Sequence, residues 1–342
     1  MIKRIFLCII PVIYAFFCIE DVQADDLNTL SDAQVESLCA QVRTVNPPLS
    51  DLPNKTDQKL LEHCDSESLY YGIGQPADPI KARLCAFVEQ RSEKDNGTPD
   101  GFSGSHILMM IYANGRGVHK NIPYAMHLAC LSSWAPAEET ERLEDLRARQ
   151  YKPSTRPFDF CDGATSGYVG GICSSHHARL QDVELDRSII DFQKKLSPNA
   201  QKSFQNVLEK QKKWTKKTSE NEVDLTGTDR ASETIEAEEN QKKNFVALLI
   251  RLQRSDFPKY TQKDIIKSNA IMKISLAKLK KEGVIPNSTI EWNGISETQK
   301  TWERYRDAWG DFAEKVYPAW GKQGAEAWIS MERAKMLESM AH

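Results

Sequence analysis

The sequence predicts an all-α protein, built as helical-repeat hairpins followed by a helical bundle. Three observations carry that prediction. The stretch Gln299–Tyr317, QKTWERYRDAWGDFAEKVY, continues an apolar series that runs through Ile295, Trp302, Tyr305, Trp309, Phe312 and Val316. Its steps of 7, 3, 4, 3 and 4 residues mark one face of an α-helix. A helix–glycine turn–helix pattern occurs twice with a period of 43 residues: Tyr71-Gly-Ile-Gly74 aligns with Asn114-Gly-Arg-Gly117, and Ala82 with Ala125. Finally, no stretch sustains the apolar–polar alternation of a half-buried strand.

The chain opens with Lys3 and Arg4, an apolar run from Ile5 to Ile19, and Val22-Gln23-Ala24 with small residues at positions −3 and −1 before Asp25. That order is the pattern of a secretory signal peptide covering residues 1–24, with a run too short for a membrane span and interrupted by Pro11. Cys18 lacks the small residues of a lipid-attachment site before it. A periplasmic or secreted protein is expected, with no transmembrane segment after cleavage. Cys8 and Cys18 leave with the signal. The remaining cysteines, Cys39, Cys64, Cys85, Cys130, Cys161 and Cys173, form an even set that an exported chain oxidises to disulfides. Six cysteines allow about 15 pairings.

In order, residues 25–150 form the repeat region. A helix is expected from Ser31 to Val42, then an irregular stretch through Pro47, Pro48 and Pro53. Leu60, Leu61, Cys64, Leu69 and Tyr70 suggest one helix ended by Gly72, and Asp78-Pro79 opens its partner as N-cap and first-turn proline, running to Glu89. Asp95–Gly104 reads as a loop. The second copy places Ile107, Leu108, Ile111 and Tyr112 on an apolar face, then a helix from Asn121 to Leu131. Ala137–Gln150 carries acids early and arginines late, as the helix dipole favours. The prolines of Tyr151–Pro157 mark a domain boundary, and residues 151–342 form the second domain. Helices are expected there at 170–196, 198–218, 229–253 and 261–282, then the aromatic helix, with Ser296 as N-cap and Pro318 as stop, and a last one at 324–340. Lys259–Lys281 holds seven lysines, read as a solvated face.

YANGRGVHKNIPYAMHLAC resembles a Sel-one-like repeat, a tetratricopeptide-type protein-binding module; in the first copy Gln75-Pro76 replaces the usual valine–charge pair. Gln299, Trp302, Tyr305, Arg306 and Asp307 resemble the Q-x-x-W-x-x-Y-R-D signature of the LprI family, named for a lysozyme-inhibitor lipoprotein, and Arg333 and Leu337 fit its following helix. Cys161 and Cys173, twelve residues apart before a long helix, resemble the start of the same family. That resemblance implies a Cys161–Cys173 bridge, which would close a short glycine-rich loop. Cys64 and Cys85 flank the first glycine turn and are paired on that ground, which leaves Cys39 with Cys130 by elimination. The resemblance also implies a protein partner, a lysozyme-type cell-wall hydrolase; the repeats imply a protein–protein scaffold.

Net charge is −3 with a pI near 6.2, which argues against a general nucleic-acid binder and leaves room for local charge clusters. Cys173-x-x-His176-His177 suggests a metal, but adjacent helical histidines diverge by about 100°, and a zinc site needs further ligands. Gly101–Ser105 lacks the strand and final glycine of a nucleophile elbow. Gly167-Tyr-Val-Gly-Gly171 lacks a βαβ context for phosphate. No catalytic residue, cofactor or metal is assigned, and a non-enzymatic binding protein is expected. Arg306 and Asp307 sit side by side on a helix, so each is expected to reach outward, Arg306 to a glutamate on a neighbouring helix and Asp307 to Arg333.

Overall fold

The computed structural model describes residues 29–96, 102, 104–131, 135–152 and 154–342. The expected signal peptide, Cys8, Cys18 and most of the Asp95–Gly104 loop lie outside them. The described residues form α-helices and two 3₁₀ turns, and the lone β-bridge joins Val284 to Glu291. The all-α reading holds.

The first half contains α1 (Asp32–Val42), α2 (Lys55–Leu60), α3 (Ser66–Tyr71), α4 (Pro79–Asn96), α5 (Gly104–Asn114), α6 (Ile122–Leu131) and α7 (Pro136–Tyr151). Helices α3 and α4 form one hairpin, α5 and α6 the other, and α4 packs on α5 between them; α1 and α7 cover α6. The repeat holds at the level of single hydrogen bonds. Asp78 N donates to Leu69 O and Asn121 N to Tyr112 O, at 2.8 and 2.9 Å. The two caps correspond as well, with Lys81 N on Asp78 Oδ1 and Tyr124 N on Asn121 Oδ1. Gly115 and Gly117 have φ of +67° and +75°, and the first copy's glycines match them. A side chain there would meet the left-handed penalty, which explains the spacing. Arg83 joins the copies by donating from Nη1 to Gly117 O at 2.9 Å.

The single helix expected before Gly72 is two. The chain breaks at Leu61–Asp65, where Asp65 accepts from Ser68 N at 2.9 Å and restarts the helix as its cap. The break leaves Cys64 bonded to Cys85 of α4. Cys39 pairs with Cys130 and Cys161 with Cys173, so the three bridges are those expected.

The second half contains α8 (Gly167–Lys194), α9 (Pro198–Asn221), α10 (Arg230–Gln253), α11 (Gln262–Glu282), α12 (Trp292–Val316) and α13 (Gly321–Met340). They pack in a row: α8 on α10, α10 on α9, α9 on α12, α12 on α13, and α13 on α11 at the edge. Helix α12 starts before Ser296, with Glu291 as N-cap, because Ile285 N···Ile290 O and Trp292 N···Gly283 O bonds fold the preceding turn against its start. Ile295, Trp302, Tyr305, Trp309 and Phe312 are all buried, and Val316 is partly buried, so the aromatic face is core.

The cores do not divide at residue 151. Phe158, Phe160, Val169 and Cys173 belong to the first core, and the second begins with Ile189 and Phe192. The prolines turn the chain without ending the first unit. Asn114 holds the returning segment through Phe158 N···Oδ1 at 2.7 Å and Nδ2···Phe158 O at 2.8 Å. The division therefore falls within α8.

Two predictions follow from this packing. Trp302 is 1% exposed, so Trp302→Ala is expected to cost about 3–5 kcal/mol in denaturant melts; a loss below about 1 kcal/mol would contradict its burial. Non-reducing peptide mapping should recover Cys39–Cys130, Cys64–Cys85 and Cys161–Cys173, and replacing the last pair with serines should cost about 3 kcal/mol. A Cys85–Cys130 peptide would mean that the repeats are stapled to each other instead.

Candidate functional site

The most densely built polar contact joins the first repeat to α8. Asp65 caps α3, which turns Glu67 in the first helical turn toward α8. Glu67 and His176 are 4% and 2% exposed, and Glu67 Oε1 lies 2.6 Å from His176 Nδ1. A carboxylate at that nitrogen requires the ring proton to be there. Phe102 stacks on the imidazole at 4.2 Å and Tyr71 tilts against it at 4.4 Å, so its faces are filled by aromatic rings. One helical turn further, Arg179 binds the other oxygen of Glu67, Asp65 Oδ2 at 2.5 Å and Ser68 Oγ at 2.9 Å. Burial works to raise the Asp65 carboxyl, but the Ser68 backbone N–H, Arg179 and the Ser68 hydroxyl outweigh it and hold the group below its ordinary value. Tyr71 donates to Asp159 Oδ2 at 2.9 Å. Burial, then the Asp159 charge and hydrogen bond, drive this phenol far above its usual range, so it stays a donor.

These residues tie two surfaces together rather than assemble a reacting centre. Ser68 Oγ is engaged by Asp65 and Arg179, away from any base relay with His176. Beside the tie lies an open groove of about 880 Å³. One wall is the glycine turn of the first hairpin, with Gly74 and Gln75; the other is the outer face of α8, with Arg179, Asp186, Ile190 and Lys194. Ile190 is 49% exposed. Lys242 of α10 fixes the carboxylates of Asp182 and Asp186, so the wall offers charge of both signs around an apolar centre.

The start of α8 is equally fixed. Glu138 Oε1 accepts from Thr165 N, Ser166 N and Ser166 Oγ at 2.7–2.9 Å. Gly167 allows the Thr228 carbonyl to approach: a Cβ there would lie 2.1 Å from that oxygen. The glycines of Gly167–Gly171 thus serve the contact with α10 and its approach. Gly104 of the Gly101–Ser105 stretch opens α5 with Ala86 O where its Cβ would be, while Gly101 and Ser103 lie outside the described residues. Cys173 is bonded to Cys161 and His176 to Glu67, so these residues do not form a ligand pair. Among the described residues, the groups with metal-like spacing are Cys39, Cys130 and Glu139, and Cys64, Cys85 and Glu89. Each contains a disulfide whose sulfurs carry no thiolate charge.

The residues of the aromatic motif do not reach this groove. Trp302 and Tyr305 are core. Arg306 and Asp307 do not reach across helices as expected. Arg306 Nη2 bonds Asp307 Oδ1 at 2.7 Å, with its guanidinium 5.2 Å from the Trp302 ring. Neighbouring side chains leave a helix in different directions, but the arginine stem is long enough to curl back over the indole. At 30% and 57% exposure this pair contributes little to stability.

Arg333 instead binds Glu222 through two bonds of 2.6 and 2.7 Å, and Gln299 through Nε at 3.0 Å. Both charged side chains are sealed, at 0% and 1% exposure. Glu222 ends α9, so the contact locks α9, α12 and α13 at one point. Nothing local in the sequence marks Glu222, which lies 111 residues from its partner.

Glu222→Gln should therefore destabilise the fold by about 3–5 kcal/mol, because it strands a buried guanidinium charge. The double variant Glu222→Leu, Arg333→Met should recover most of that loss. A single variant that melts like the parent protein would show that the pair is solvated.

No family model, curated protein or solved structure matches this chain.

Proposed function

We propose that the chain is a non-enzymatic protein-binding protein acting outside the cytoplasm, and that the groove between the first glycine turn and α8 takes its partner. The groove itself carries this reading. It is open and about 880 Å³ in volume, and it pairs an exposed isoleucine with charges of both signs. The contact between Glu67, His176 and Arg179 keeps its walls in register, so little ordering is required when a segment of another protein docks. The signal-like N-terminus and three disulfides support the location. Among the described residues, no helix is long and apolar enough to cross a membrane.

The LprI-like motif points to lysozyme-type cell-wall hydrolases as the partner class. Its aromatic residues Trp302 and Tyr305 are core side chains, and Arg306 and Asp307 pair with each other outside the core, so the motif speaks for shared architecture, and the partner class rests on that resemblance. A scaffold that joins envelope proteins is the second reading, supported by the two stacked hairpins.

A muramidase assay with the mature chain separates them. Inhibition that disappears in Ile190→Asp supports the hydrolase reading. No inhibition, with capture of envelope proteins that Ile190→Asp abolishes, supports the scaffold. The substitution is at an exposed position and should shift stability by less than about 0.5 kcal/mol, so lost binding would be read at the groove. Binding unaffected by Ile190→Asp would remove the groove from the proposal.

A further inference from the structure

Helix α11 is the edge of the second half, and its outer side is unlike any ordinary solvated face. Its inner residues, Ser268, Met272, Ser275 and Leu279, are buried, and the helix packs chiefly on α13. On the opposite side Ile266, Ala270, Ile274 and Ala277 follow one another at steps of 4, 4 and 3, forming an apolar line along the helix. Ile266 is 61% exposed and Ile274 is 69% exposed. Lys263, Lys267, Lys273, Lys280 and Lys281 border that line, and all five are exposed.

These lysines are also largely uncompensated; after the Thr261 hydrogen bonds, the Lys267 charge does help to lower the Asp264 carboxyl. Among the described residues, no ion pair includes any of the five. On α9, by contrast, Lys210 and Lys213 share Glu209, and Lys216 and Lys217 share Glu220. The acids of α11 do not balance the face: Asp264 closes the capping box with Thr261, and Glu282 is the last helical residue. Lys278 is spent on the Ala341 carbonyl. The 21-residue helix is straightforwardly long enough, at about 1.5 Å per residue, to lie across some 30 Å of surface.

We propose that the outer face of α11 docks the protein on an anionic phospholipid surface, with the lysines at the headgroups and Ile266 and Ile274 dipping below them. The combination of groups selects this partner. A second copy of the same face would set lysine against lysine. A soluble polyanion would satisfy the lysines and leave the isoleucines in water. An anionic bilayer satisfies both, through apolar burial added to the attraction of basic residues for acidic headgroups. The inference is independent of the groove on α8 and of any hydrolase partner.

Co-sedimentation of the full mature chain with phosphatidylglycerol–phosphatidylcholine vesicles, against phosphatidylcholine alone, tests it. Binding is expected only to the anionic vesicles and should weaken as salt rises. Lys267→Glu and Lys273→Glu should each reduce partitioning by about fivefold or more. Ile266→Ser with Ile274→Ser should reduce it by about tenfold. Far-UV circular dichroism checks that α11 remains folded in each variant, and Ile190→Asp should bind vesicles like the parent protein. No binding to anionic vesicles would overturn the proposal. So would binding to soluble polyglutamate that is as tight as to vesicles and indifferent to the isoleucine changes, since that result describes an acidic macromolecule as the partner.

Discussion

Helix α8 has to belong to two cores at once, and much of the remaining structure can be understood from that demand. Val169 and Cys173 complete the first core, while Ile189 and Phe192 begin the second. A helix shared in this way transmits any tilt at one end to the other, so both ends need fixing. At its start Glu138 holds Ser166, and the Cys161–Cys173 bridge holds the approach. One and two turns past that bridge, His176 and Arg179 clamp it to the repeat hairpin through Glu67. Further along, Lys242 ties it to α10 through Asp182 and Asp186. Gly167 and Gly171 let α10 and the loop before it come close enough for these contacts to form.

In the second half, burial decides which charges matter. Arg306 and Asp307 are adjacent, conspicuous and largely solvated, so their pairing has little energetic weight. Glu222 and Arg333 are sealed from water, and each would be costly without the other. The arginine is bidentate on the carboxylate and uses Nε on Gln299, so its charge and geometry are both satisfied. Gln299 therefore belongs to the fold by way of a helix it is not on, a role distinct from that of its aromatic neighbours.

Much of the architecture was legible because it depends on local periodicity. The positive-φ glycines announce the repeat turns, and the aromatic spacing of α12 announces its buried face. The three cysteine pairs follow from different grounds: the family resemblance for Cys161 and Cys173, the glycine turn between Cys64 and Cys85, and elimination for Cys39 and Cys130. What escaped the sequence depends on distance. The Glu67–His176 contact spans 109 residues and joins side chains that each read, locally, as a surface acid and a helical histidine. The break before Asp65 was hidden because the apolar spacing continues across it, while a single cap decides where the helix restarts. The prolines near residue 151 mark a boundary in the sequence because they stop a helix, yet Phe158 and Phe160 return to the core just left. Neither turn chemistry nor periodicity encodes where a chain goes after it turns. The groove is the least legible feature of all, because its walls come from a turn and a helix that no motif connects.

The bridges are nested: Cys64–Cys85 lies inside the 91-residue loop closed by Cys39 and Cys130. A chain emerging amino terminus first presents Cys39 and Cys64 together long before Cys130 exists. Oxidation in order of appearance therefore joins the wrong neighbours. The native set requires oxidation that waits for the second hairpin, or thiol–disulfide exchange that corrects an early pair. Maturation of this fold is thus a matter of timing: Cys39 has to stay reduced until Cys130 is in place, or an early pair has to be exchanged away.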